Sequence, residues 1–587
     1  MNIKAKLYSI LFLMPALYAA GQENNNLNKE VEVIKNYQPS ISEAYKIGKN
    51  PVIDDTTSYT PTFIYNIYSN DIKVEKNINH FPVVKLSSPP LERSNNGYAK
   101  AALGNALTPY GELVINTSPG RNTDFGVHFY HFSSRPNVRL NNDLKVKAPY
   151  GNSMARIFVK NYFRKSVLQW DIRYQRDRIN YYGFPGDTAS YHKFEKSSNI
   201  LNNNQAFNNA TAGFKLNNTN TRSKVDYELE MKYNYFWNNT GQAEHQANYK
   251  GLFIRRYRDY QLAMDTRFDF FSKSGIIHNF DSLSNAHNSY LAQISPEYYV
   301  NKDIFELRAG VNLGTIINAD STMLWHISPK IYFAYHPIKG VMAVFAGTDG
   351  GFKANQYNNM VAENPYIDYN TDMKPTEEII RLYGGFKGKI SRRLSYLVDV
   401  NYSINQNEAL YFQTNTRYST QNGTDSIAFN NMFTPIYDDF SVLKFGGEFR
   451  FSSPRTTIDL SGNYYIYDTK NMEQLPHLPD YNIALETSVN ISSRINTSAG
   501  VQVTGARKGY VWNDYTSNYN LPLPTSTQFD EYDLETAINV YLSAEYKYQK
   551  NMYFFINANN ILNQNYQVMN GYNNHGLLIM LGARVSF

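Results

Sequence analysis

The chain of 587 residues carries 57 Lys and Arg against 51 Asp and Glu, with 50 Tyr, 34 Phe and no Cys. Its negative mean hydropathy excludes a bundle of membrane-spanning helices, and the lack of Cys excludes a disulfide frame and a lipoprotein anchor. A formal charge of +6 is too small for this length to call for a nucleic-acid partner.

Residues 1–21 read as a signal peptide. Lys4 and Lys6 make a basic start, Leu7 to Leu17 an apolar run too short to span a bilayer, and Ala19-Ala20-Gly21 a cleavage site. Residues 22–96 read as an exported arm broken by Pro39, Pro51, Pro61, Pro82, Pro89 and Pro90. Within it, Val31-Glu32-Val33-Ile34-Lys35 is a short strand candidate of the kind that adds to a partner's sheet edge. The blander reading is an arm tucked into a lumen. Ser40 and Glu43 stand at capping-box spacing ahead of Gly48, which predicts one or two helical turns.

From residue 97 to 587 one unit repeats: an alternating run, a short polar turn, a second run, a long polar loop. Short turns fall at Ser118-Pro119-Gly120-Arg121, Arg164-Lys165, Asn301-Lys302-Asp303, Ser391-Arg392-Arg393 and Gln549-Lys550-Asn551, among others. Long loops are expected near 134–152, 178–203, 273–287, 352–376, 414–436, 469–479 and 511–532. The runs have two faces. In 537–548, Ile538, Val540, Leu542, Ala544, Tyr546 and Tyr548 alternate with Asn539, Tyr541, Ser543, Glu545 and Lys547. A soluble barrel hides its apolar set inside, whereas a polar second face of mixed charge suits a wet lumen. Strict alternation of short and long connections is the pattern of a membrane barrel with tight turns at one rim. The fold class expected is therefore all-β: a transmembrane antiparallel up-and-down barrel of about 22 strands, with a short N-terminal periplasmic or lumenal arm. An even count returns both termini to the periplasm.

The end of the chain is the most informative stretch. Read back from Phe587, every second residue is apolar: Val585, Ala583, Leu581, Ile579 and Leu577. Before it come an aromatic strand, Asn560-Ile561-Leu562-Asn563-Gln564-Asn565-Tyr566, and a loop holding Gly571-Tyr572. This closing hairpin resembles that of TonB-dependent outer-membrane receptors. The resemblance implies residence in a Gram-negative outer membrane with lipid around the wall. It also implies insertion by the barrel-assembly machinery, with Leu581, Ala583, Val585 and Phe587 as the insertion signal. It implies ligand uptake, with a TonB-type energy-coupling protein or other envelope proteins as partners. One departure stands against it. Those receptors fill the barrel with a Gly-rich amino-terminal plug of well over a hundred residues, and the 22–96 arm is shorter and lacks such motifs, so the plug reads as missing or much reduced.

No catalytic, cofactor or metal constellation emerges, and a non-enzyme is expected. His128 and His131 lie three apart on a strand, face opposite ways and cannot share a metal. The inward charged candidates are Asp265, Arg267, Asp269, Arg381, Lys387, Lys389, Lys444, Glu448 and Arg450. They either line a path or a partner's seat, or brace and solvate the wall. Two functions remain open: ligand transport, which the closing hairpin favours, and a non-transporting barrel within an envelope complex, which the short arm favours.

Overall fold

The computed structural model describes residues 96–117, 122–141, 143–183, 204–219, 223–274, 277–278, 282–283, 287–318, 321–368, 373–419, 425–469, 472, 474–515 and 529–587. The signal segment and the arm, with its 31–35 strand candidate, lie outside the described residues.

Twenty-two antiparallel strands form one closed ring in chain order. The first, Gly97–Gly104, pairs with the last, Leu578–Ser586, and Gly97 and Phe587 exchange both backbone hydrogen bonds at 2.9 Å. Closure leaves the ring without an open edge. The two faces expected from the period of two are present. Phe129, Ile172, Met231, Leu313, Leu382 and Leu460 are exposed on the outside. Polar neighbours one residue away point inward. Lys330 reaches Asp265 at 3.0 Å over the two intervening strands His287–Asn301 and Phe305–Ile317. Side chains that far apart along a curved wall converge only on its concave side. In Ala537–Gln549, Leu542, Tyr546 and Tyr548 are exposed while Asn539 is buried and Glu545 accepts a bond from Arg584 at 2.7 Å. An apolar belt of this extent is untenable in water and natural in lipid. No helix among the described residues is long and apolar enough to cross a membrane.

The two rims differ. Ten connections at the rim holding Gly97 and Phe587, the turn end, are short. At the opposite rim, the loop end, lengths run from 105–107 to 505–536. The alternation of short and long is therefore not strict, because 105–107, 239–242 and 318–322 are tight turns at the loop end. Left-handed residues make them: Ala106 and Leu107 at φ 56° and 49°, Gly241 at 84°, Ser321 at 67°. The loop expected over 414–436 is also corrected. The strands Leu394–Ser419 and Asp425–Ser452 continue through most of it, far beyond the ten or so residues that span a bilayer. They continue because Leu410, Phe412, Ile436 and Phe440 bury themselves against neighbouring loops, which outweighs a composition rich in Asn, Thr and Ser.

Candidate functional site: the loop-end mouth

The main buried core lies at the loop end. It gathers Leu140, Tyr182, Phe236, Tyr357, Phe433 and Tyr572, among others, from connections and from strands that reach the loop end. Asn431 on Asp425–Ser452, the sixteenth ring strand, donates from Nδ2 to the Tyr181 carbonyl at 2.7 Å. Tyr181 follows Ser166–Asn180, the fifth strand. In a ring of 22 those positions are diametrically opposed, so this bond crosses the bore. The loops close over the mouth.

Tyrosines build the closure. The rings of Tyr366 and Tyr572 stack with centroids 3.5 Å apart, and Tyr182 meets Tyr572 edge-on at 5.1 Å. The Tyr572 hydroxyl donates to the Asn431 carbonyl at 2.5 Å and that of Tyr182 to the Asn573 carbonyl at 2.6 Å. Burial pushes the phenols of Tyr182, Tyr357 and Tyr572 well above their ordinary range, so they remain neutral; Tyr182 and Tyr572 donate, while the Tyr357 hydroxyl accepts from Asn238 Nδ2 at 3.2 Å. Gly183 is required where it stands, because a Cβ there would fall 2.3 Å from the Tyr572 ring. The helix Tyr357–Glu363 enters the cluster with its first turn facing Glu244, whose Oε2 accepts the Tyr357 N–H at 2.7 Å. A carboxylate there satisfies a donor that the helix leaves open.

A second buried group ties three loops together. Arg507, on the hairpin Arg507–Tyr515 and Phe529–Leu534, donates to the carbonyls of Val568 at 3.0 Å and Gln567 at 2.6 Å. The Asn570 N–H donates to Nε2 of His477 at 3.2 Å, and Asn570 Nδ2 to Gln413 at 2.8 Å. Burial, with Arg507 adding to it, holds the His477 imidazole down at about 3. The ring is neutral and acts as an acceptor.

Against these tyrosines lies a small cavity whose lining includes Tyr150, Tyr182, Tyr366, Tyr566, Asn574 and His575. Its lining includes no acid, Lys or Arg. The His575 ring lies 4.2 Å from that of Tyr150, and burial lowers its pKa to about 4. Asn574 Oδ1 is buried without a partner among the described residues. This lining offers ring faces and amides, the chemistry of a neutral guest or of on the order of three waters.

The sequence-derived charges lie elsewhere, distributed along the wall. Asp265 joins Lys330, which also pairs with Glu297. Arg267 pairs with the fully buried Asp269, which accepts from Asn248 at 2.8 Å. Arg381 grips Asp349 through Nε at 2.7 Å, and Lys387 donates to the Tyr332 hydroxyl at 2.8 Å. Lys389 and Glu448 are exposed, Lys444 is half-buried, and Arg450 pairs with Asp459. These pairs lie along one strand (Arg267–Asp269), between adjacent strands (Arg381–Asp349, Arg450–Asp459) or over intervening ones (Lys330–Asp265), and do not converge on one centre; among the described residues no group fit to hold a metal exists. Likewise His128 bonds Glu112 at 3.1 Å while His131 bonds Ser153 at 2.8 Å. Leu581, Val585 and Phe587 are exposed on the outer face, with Ala583 half-buried between them.

No protein-family model matches the chain, and no curated protein matches it. Solved structures do. The FrpB iron transporter from Neisseria meningitidis superposes with a TM-score of 0.63 at 8% identity, over 84% of this chain and 82% of that one. The siderophore receptor PirA from Acinetobacter baumannii gives 0.60 at 10%, over 85% and 81%. The closed form of the ferric-catecholate import receptor Fiu from E. coli K12 gives 0.57 at 12%, over 84% and 82%. The barrel has the fold of the TonB-dependent receptors. Identities this low carry the fold alone. The barrel frames a mouth that the sequence did not reveal: Tyr182, Tyr366, Tyr572 and His477 lie in stretches that read as loops, and Arg507 stands just ahead of the loop expected over 511–532. The one available signal was aromatic residues recurring inside Asn-rich segments, where solvated loops have no use for them.

Proposed function

We propose that the protein is an outer-membrane barrel that takes up a ligand, with the loop end outside and the turn end and both chain termini in the periplasm. The observation that carries this reading is the closure of the mouth by bonds from opposite sides of the ring, Asn431 to Tyr181 above all. A barrel that needed only to be a wall has no use for a folded, tyrosine-packed cover over its bore. The receptor-type barrel supports the same reading. In it, the cover is the ligand's first contact and the charged lumen wall lies beyond. The 22–96 arm serves as a lumenal or periplasmic segment, and 31–35 as the strand offered to a TonB-type energy-coupling protein.

Single-channel recording in a planar bilayer tests this. Wild-type protein should conduct little, and a variant carrying Tyr572→Ala and Asn431→Ala should show larger or more frequent openings. If deletion of 22–96 is also needed for current, the arm obstructs the bore below the cover. A large, steady wild-type current that the double variant leaves unchanged would refute a closed mouth. Stoichiometric co-purification of other envelope proteins with a barrel that never conducts would favour the assembly role instead.

A further inference from the structure

The turn end carries a charge that the loop end lacks. Among the described residues of its ten connections stand eleven Lys or Arg and only two acids, Asp259 and Asp303. The described loop-end connections hold seven Lys or Arg against nine Asp or Glu. Lys302 pairs with Asp259 at 3.5 Å and Lys339 with Asp303 at 2.7 Å, which neutralises two of the eleven. The other nine, among them Arg164, Lys224, Arg392, Arg455, Arg494 and Lys550, are exposed and have no carboxylate partner among the described residues. Nine of the ten connections contribute, so the charge surrounds the whole rim. Apolar side chains stand beside it: Phe163 is 54% exposed, Ile304 59%, Ile390 65% and Ile491 60%.

We propose that this rim is a collar for the headgroups of anionic phospholipids, with its apolar residues entering the boundary between headgroup and acyl chain. Two observations select lipid over a soluble partner. A protein docks on one sector of a surface, whereas a bilayer leaflet meets the entire circumference. Exposed Ile and Phe next to cations are also the pairing used by interfacial segments, where the side chain's charge reaches phosphate and its neighbour reaches hydrocarbon. Anionic headgroups lower the energy of each nearby cation, and the effect fades with salt. The inference rests on the membrane-spanning wall and not on ligand uptake.

The test reconstitutes full-length protein into phosphatidylcholine vesicles and measures, by electron spin resonance, the retention of spin-labelled phosphatidylglycerol against spin-labelled phosphatidylcholine. Wild type should retain the anionic lipid about threefold better at low salt, falling to parity in about 0.5 M NaCl. A variant combining R392Q, R393Q, R455Q and R494Q, four of the nine, should lose about half of the preference while still migrating as a folded, heat-modifiable barrel. A control variant, K145Q with K147Q at the loop end, should keep it. Equal retention of the two lipids by wild type would overturn the collar and leave the charge to an acidic protein partner. An undiminished preference in the quadruple variant would overturn it as well.

Discussion

On the wall, Tyr233, Tyr298, Tyr335 and Tyr546 turn their rings outward and remain more than a third exposed. At the mouth, Tyr182, Tyr357, Tyr366 and Tyr572 are buried, and those of Tyr182 and Tyr572 donate to backbone carbonyls. One residue type thus does two jobs: its amphipathic body suits a lipid interface, and its ring and hydroxyl suit a packed cover. The order in the two regions has different origins. The backbone ladder of the wall runs between neighbouring strands, with the ring closed once at Gly97 and Phe587. Mouth contacts join distant parts of the chain: Tyr182 to Asn573 spans 391 positions and Asn431 to Tyr181 spans 250. The mouth can therefore open locally while the ring persists, as one low-stability unit on a stable frame.

The largest expected effect comes from Tyr572→Ala. It removes a fully buried ring, the stack on Tyr366 and the bond to Asn431. Losing a large core side chain costs about 3–5 kcal/mol, and here that cost falls on the mouth. Hydrogen exchange should accelerate across 560–577 and around 181–183, while Gly97–Gly104 and Leu578–Ser586 keep their protection. Matching loss of protection in the strands would break the distinction between cover and frame.

Next in size is the wall itself. Leu542→Asp puts a carboxylate on the outer face, at a cost of roughly 2 kcal/mol in mid-bilayer. Ser543→Asp puts one on the inner face, where Ser543 now donates to Asn557 at 2.7 Å. Folding yield in lipid vesicles should drop for the first and change little for the second. Equal yields would reverse the assignment of faces.

What was legible in the sequence follows the same division. The period of two, the ring of 22 strands and the outward set of the last strand could be read because each depends on residues close together in the chain. The 105–107 turn could not, since Ala106 and Leu107 take left-handed conformations that usually announce themselves with Gly or Asn. The tall strands past residue 414 were hidden by their polar composition. Asp265 was recognised as an inward charge, but its partner Lys330 was not, because the curvature that brings them together belongs to the ring and not to either strand. At the mouth the only local hint about Tyr572 is an aromatic ring within an Asn-rich segment; the contacts that bury it, to Tyr182, Tyr366 and Asn431, come from distant parts of the chain.

The smallest effect sharpens the comparison most, because pH acts on the mouth without a mutation. His477 titrates near 6.5 when exposed and at about 3 in the closed mouth. Above 6.5 the ring is neutral in both states and its contribution to closure is complete. As pH falls from 6.5 towards 3 the opened mouth binds the proton first, so closure loses about 1.4 kcal/mol per pH unit. His575, pushed down to about 4, acts with the same sign. Exchange rates at 560–577 should therefore rise by up to about tenfold for each of the two imidazoles between pH 7 and pH 5.5 once the intrinsic pH dependence is removed. His477→Gln keeps an acceptor for the Asn570 N–H but has no proton to gain, so it should remove about half of that rise on a logarithmic scale and leave the share due to His575. A slope unchanged in His477→Gln would mean that the three loops are held shut by the Arg507 bonds to Gln567 and Val568, with the imidazole a bystander.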